Sequence, residues 1–215
     1  MHKNNLFIFI IFLSGFILNV ISVQIVSASF KDLQGVLGAS IQQISYVMSA
    51  SLIAEVIIIP FSGWLAKLLS TRVLFLISIG GFTFSCLGCA LSTNFFFMVL
   101  FRGFQGFFGG AMLPIMTSSI YTLFSKKKIP FILSIAATFG ISSIALGPML
   151  GGFLTQYLNW RWMFLYNIPF GMTLFTLGYL FIDLSDKEKG LLKRIDYQGV
   201  GYLAVGLISL LLFIE

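Results

Sequence analysis

Charge is scarce in this sequence. Charged residues fill 9% of its 215 positions, against about 25% in a typical soluble domain, so most of the surface is built to face something other than water. Histidine is scarcer still. The single one, His2, stands beside the start, which excludes an imidazole cluster as a metal-ligand set or catalytic base. Cysteine occurs twice, at Cys86 and Cys89. A Cys-x-x-Cys pair can be a redox or zinc element, but zinc needs about four ligands and none stand nearby. The pair reads as two small polarizable residues within an apolar helix, and no disulfide framework exists. No Ser/His, His/Glu or paired-carboxylate arrangement at membrane depth offers nucleophilic or metal chemistry. An intramembrane enzyme is therefore the least favoured class, and no cofactor or metal is expected.

What is abundant is apolar surface. The hydrophobic fraction is 58% and the mean hydropathy is +1.01, which points to lipid. The net charge of +6 does not point to nucleic acid, because the basic residues sit in short gaps between apolar runs and leave no basic face. Crossing ~30 Å of hydrocarbon takes about 20 apolar residues. Runs of that size fall at Leu6–Ser27, Ile44–Ala66, Val73–Leu91, Phe95–Phe124, Ile129–Leu154 and Trp162–Leu184. Their continuity favours helices over membrane strands, which alternate with period two. The first run has an alternative as a cleaved signal peptide, since Val26-Ser27-Ala28 resembles a cleavage site. Its length and its interruption by Ser14, Asn19, Ser22 and Gln24 favour a retained span.

A seventh segment begins near Tyr197 and ends at Ile214, one residue before Glu215. The expected organisation is a six-helix bundle over 1–184, a basic linker over 185–198 and an unfinished seventh helix over 199–215, as in a truncated or split reading frame. With the N-terminus cytoplasmic, the inner segments hold Lys3, Lys67, Arg72, Lys126, Lys127, Lys128, Lys187, Lys189, Lys193 and Arg194. The outer loops hold only Lys31 and Arg161, so the bias is ten to two, a strong positive-inside signal.

Two ionisable residues fall within the spans. Such groups cost several kcal/mol unless paired or wetted, and so are functional candidates. Glu55 lies about 16 Å from the outer surface and Arg102 about 10 Å, at 1.5 Å per residue. Asn19 and Gln24 occupy the outer half of the first span, so all four are expected to line one cavity. Desolvation favours a neutral carboxyl at Glu55 and a nearby guanidinium favours a charged one, the tension a proton carrier needs. The plainer alternative is a structural Glu–Arg pair or a neutral Glu55 bonded to a neighbouring helix. Arg102 does not neutralise readily and must point into protein or water.

Glycine supplies the second signal. Gly140, Ser143, Gly147 and Gly151 share one helix face, where small side chains let another helix approach closely. Gly147-Pro148 is expected to bend or break that helix. This face is either ordinary packing or a rocking interface. Pro60-Phe61-Ser62-Gly63 and Pro148-Met149-Leu150-Gly151 echo each other in the second and fifth spans, as a 3+3 inverted repeat would have them.

Five motifs then occur in order. They are Ser62-Gly63-Trp64-Leu65-Ala66-Lys67 with Arg72; Leu100-Phe101-Arg102-Gly103-Phe104-Gln105-Gly106; Gly147-Pro148-Met149-Leu150-Gly151-Gly152; Asn159-Trp160-Arg161-Trp162-Met163-Phe164 with Asn167-Ile168-Pro169-Phe170-Gly171; and Arg194-Ile195-Asp196 with Gly199. Together they resemble the N-terminal half of the fourteen-helix drug:proton antiporters of the major facilitator superfamily, the EmrB/QacA type.

That resemblance implies an all-α integral membrane fold and export of amphipathic compounds in exchange for protons. It gives Arg102 a part in proton coupling; the depth of the polar residues in the spans adds Glu55 as the candidate carboxyl and Asn19 and Gln24, with Gln105 of the fourth-span motif, as cavity residues. It makes Gly63, Lys67, Arg72, Gly147, Pro148, Gly151 and Gly152 conformational motif positions. It also implies an inner-membrane location, a periplasmic adaptor and outer-membrane channel as partners, and a C-terminal half. Departures are informative. The branch carries Leu-Asp and, five residues on, Asn in its first helix, where this chain has Leu18-Asn19 and Gln24. Lys67 replaces an acidic residue, and Ser143 stands at a usually small position. Glu55 is the candidate replacement for the missing first-helix carboxylate. Competing readings are a metabolite permease, disfavoured by the Gly147-Pro148 signature, and an inactive fragment or membrane scaffold that needs a second chain.

Overall fold

A computed structural model of the chain describes residues 3–183 and Gly206; the expected linker and seventh helix lie outside the described residues, Gly206 apart. Every regular element among the described residues is helical. α1 spans Lys3–Ile25 and runs through a 3-10 turn, Val26–Ser29, into the short α2, Phe30–Leu37. The long α3, Ile41–Leu69, and α4, Thr71–Leu91, follow. The fourth span is α5, Phe95–Gly110, plus α6, Met112–Leu123; the fifth is α7, Ile129–Tyr157; the sixth is α8, Trp162–Leu165, plus α9, Asn167–Phe181. Six of these stretches are long and apolar enough to cross a membrane.

Local chemistry sets the boundaries. Ser40 and Gln43 form a reciprocal capping box that starts α3, satisfying two amides with no helical partner. Gly38, at φ 61°, ends α2 in a conformation that a Cβ disfavours. Asn94 Oδ1 accepts from the Phe97 amide at 3.0 Å to cap α5.

The prolines behave differently from expectation. α7 continues through Pro148, and α3 through Pro60, without a break. One missing amide does not end a helix whose other amides have no water to turn to in hydrocarbon. The breaks fall instead at Ala111 and Tyr166, each three residues before a proline, Pro114 or Pro169. There the proline sits in the first turn of a new helix segment, where its lost N–H is harmless.

α3 rests on α5 and α7 on α1; α4 packs against α5 and α9 against α1; α4 and α9 pack on each other. Exchanging span one with four, two with five and three with six maps these contacts onto themselves, the relation of a 3+3 inverted repeat. Two apolar clusters fill the interior. One gathers Phe12, Phe75, Phe82 and Met112; the other gathers Ile25, Met98, Trp160 and Phe164.

One end of the bundle collects α1's start and the links after α3, α6 and α9. Asn5 donates to the Leu123 carbonyl at 3.0 Å, Phe7 meets Phe181 edge to face at 5.0 Å, and Arg72 Nη2 donates to the Tyr179 carbonyl at 2.6 Å. Lys67, Lys126, Lys127 and Lys128 are exposed at this end.

Candidate functional site

A polar nest lies between the two apolar clusters. Its centre is Arg102 on α5, fully buried, whose guanidinium is shared among neutral acceptors from three helices. Nε donates to the Val47 carbonyl at 3.1 Å, Nη2 to Ser51 Oγ at 2.7 Å, and Nη1 to Gln105 Oε1 at 2.7 Å, with a longer 3.5 Å contact to the Ser22 carbonyl. Hydrogen bonds to a charged group are worth about 1.5–3 kcal/mol each, and a planar fork with five donors is suited to such a set. Gln105 continues the network. Its Nε2 donates to Ser22 Oγ at 2.7 Å and to Cys86 Sγ at 3.1 Å. Asn167 of α9 also donates to Ser22 Oγ, at 3.2 Å.

Beside the nest, Asn19 Nδ2 on α1 donates to Glu55 Oε1 on α3 at 3.1 Å. Asn19 is buried and Glu55 half-buried. Arg102 does not bond to Glu55 directly; Ser51, one helical turn before Glu55 on α3, accepts from Arg102 instead.

Glycines on the fourth span make room for this arrangement. A Cβ on Gly106 would strike the Ser51 backbone, one on Gly109 would strike Asn19 Oδ1, and one on Gly110 would meet Glu55 Cγ at 2.9 Å. Without side chains there, α3 and α1 approach near enough to hand their polar groups inward.

Arg102, Gln105, Asn19 and Glu55 are thus brought together. The first three are closed off by packing, at 0%, 1% and 2% exposure, where an open cavity lining was expected. Gln24 stands apart: its Cβ is what a side chain on Gly147 would strike. Gly140, Ser143, Gly147 and Gly151 are buried on one face of α7, which packs on α1. Pro148, Gly63 and Lys67 are exposed, and Gly152 has open space where a Cβ would stand. Arg72 is tied to Tyr179 by its hydrogen bond and lies 5.4 Å from that ring's centre. Sequence reasoning did not single out Ser51, Gly109 or Gly110 as site residues, gave Ser22 and Asn167 no role of their own, and read Cys86 as packing alone. The carbonyl of Val47 carries no sequence signal at all.

A six-helix bundle with internal two-fold repetition, built around a buried guanidinium and an intramembrane carboxyl, defines a polytopic membrane protein of the facilitator type. The chain belongs to the Major Facilitator Superfamily, whose family model matches residues 7–213. It is 36% identical over 213 residues to the colistin resistance protein EmrB of Acinetobacter baumannii, which covers 97% of this chain and 41% of that one. It is 30% identical over 200 residues to the multidrug export protein EmrB of Escherichia coli, covering 92% and 38%. The chain therefore spans about two fifths of the length of these curated relatives. Among solved structures, the E. coli xylose transporter XylE in a partially occluded inward-open conformation matches with a TM-score of 0.74 at 15% identity, over 97% of this chain and 58% of that one. That likeness bears on the fold alone.

Proposed function

We propose that this chain is the N-terminal half of a proton-coupled multidrug exporter that works by alternating access. The observation that carries the reading is the Asn19–Glu55 hydrogen bond beside Arg102. The carboxyl of Glu55 there meets the residue that stands where the resembled branch has its first-helix carboxylate. Glu55 takes a proton when its half-buried face meets the outer solution and gives it up when that face meets the cytoplasm. The neutral acceptors around Arg102 hold its geometry through both states.

Gln24, half-buried on the same helix as Asn19, faces the amphipathic substrate, while the buried Gln105 holds the Arg102 guanidinium in place. The small face of α7 against α1 is the surface that rocks, and Gly63, Lys67 and Arg72 tie the basic end. A second six-helix half completes the substrate site, which in such folds lies between halves. The basic end is cytoplasmic, the N-terminus with it, in an inner membrane, and a periplasmic adaptor and outer-membrane channel carry the exported compound onward. The names of the EmrB relatives support a drug substrate over a metabolite.

The test uses a complete transporter containing this half, in proteoliposomes with an imposed pH gradient. Glu55→Gln is expected to bind a fluorescent amphipathic dye normally and to lose acceleration of dye export by the gradient. Acceleration equal to the unsubstituted protein would remove Glu55 from the mechanism.

A further inference from the structure

Asn19 is 2% exposed, and its Oδ1 is a buried acceptor with no hydrogen-bond partner. The same amide is engaged on its other side, where Nδ2 donates to Glu55 Oε1 at 3.1 Å. Gly109 and Gly110 seat the two groups side by side, because Oδ1 lies where a Cβ of Gly109 would be and Glu55 Cγ lies against Gly110. A buried carbonyl left without a donor is costly, and native structures seldom tolerate one without a reason. An ionised carboxylate has no hydrogen to offer; a protonated one has a single O–H.

We propose that Asn19 is a proton-sensing positioning residue: when Glu55 is protonated, its O–H donates to the orphaned Asn19 Oδ1 while its other oxygen keeps accepting from Nδ2. Acid and amide then close a pair of antiparallel hydrogen bonds. The proton arrives from water on the half-buried side of Glu55 and returns to water, so only the O–H bond forms and breaks. This inference rests on the proton role given to Glu55 above. Among the described residues, Arg102 of α5 is the other ionisable group of the neighbouring polar nest, α4 presents the buried thiols of Cys86 and Cys89, and α1 presents the neutral Asn19. α1 and α3 otherwise touch sparingly, so a second hydrogen bond tightens the grip between the central helix and its neighbour. Protonation thereby becomes a packing change between two helices.

Infrared difference spectroscopy of the full chain in lipid nanodiscs, taken between high and low pH, tests this directly. Glu55→Gln assigns the acid carbonyl band of Glu55 by removing it. In the unsubstituted chain, isotope-labelled asparagine should show one side-chain carbonyl band moving to lower frequency as the Glu55 acid band appears, and Glu55→Gln should abolish that movement. Asn19→Ala, and independently Gly109→Ala, should move the acid band to the higher frequency of a carboxyl without a strong acceptor. The asparagine measurement needs no substitution that could misfold. An acid band that appears but ignores both substitutions, with no asparagine movement, overturns this inference and leaves the proton role of Glu55 standing. No Glu55 acid band across the accessible pH range removes both.

Discussion

The two long arms of the bundle, α3 and α7, are alike in most respects. Each has 29 residues, an internal proline and a continuous helix. In each, 22% of the most apolar window is buried, against 50% for α1. They differ in which partner supplies the space for contact. Where α3 meets the fourth span, the glycines are on the fourth span, at Gly106 and Gly110, and α3 keeps Ser51 and Glu55 as working side chains. Where α7 meets α1, the small residues are on α7 itself, and Phe16 and Gln24 of α1 fill the space. The helix that gives up its side chains provides the close approach, and the helix opposite keeps its larger side chains. An inverted repeat can thus hold one contact geometry while setting a carboxyl in only one of its arms.

The largest expected effect breaks the α3 side. Arg102→Lys keeps the charge but replaces a five-donor fork with a three-donor point, leaving at least one buried acceptor unmade. Thermal unfolding in detergent should report a loss of about 1–3 kcal/mol, and coupled export should be lost. Next come the glycines. Gly106→Ala and Gly147→Ala each drive a methyl into the facing helix and should cost about 1–3 kcal/mol. Gly103→Ala and Gly152→Ala, with open space at the same point, should fall within about 0.5 kcal/mol of the unsubstituted chain. Equal costs across the four would mean that Gly106 and Gly147 are not what lets the facing helices approach. A smaller effect lies at the end of α3. Ser70 alone links α3 to α4 at φ 87°, ψ 150°, a region suited to glycine that strains other residues by about 1–3 kcal/mol. Its side chain caps Val73 through a long 3.4 Å bond, and replacing a cap by glycine costs only a few tenths of a kcal/mol. Ser70→Gly should therefore raise the unfolding temperature by a few degrees, read by the same melt.

The spans were legible because lipid imposes a length and a continuity that survive in the one-dimensional pattern. Arg102 and Glu55 were legible because an ionisable group inside an apolar run has few innocent explanations. Their partners were not. Ser22, Ser51 and Asn167 are ordinary residues of membrane helices, and the contacts that give them meaning join positions 51 to 145 residues apart, beyond the reach of any local periodicity. Gly109 and Gly110 were overlooked for a related reason: a glycine's use depends on what stands opposite. The prolines were misjudged in one place. Pro148 was expected to bend or break its helix and does not break it, whereas the interruptions came before Pro114 and Pro169, where the chain could restart a helix with proline in its first turn. The short helix α2, in what reads as a loop, was missed because its eight residues carry no span-length signal.

The central claim is that Glu55 does, from the second span, the work of a carboxylate on the first. Proton uptake driven by substrate export, measured in proteoliposomes of the complete transporter, tests it through a swap. Glu55→Gln should abolish the exchange, and Asn19→Asp combined with Glu55→Gln should restore it, since the carboxyl then returns to the other side of the same 3.1 Å hydrogen bond. Undiminished proton exchange in the single Glu55→Gln variant would contradict the account.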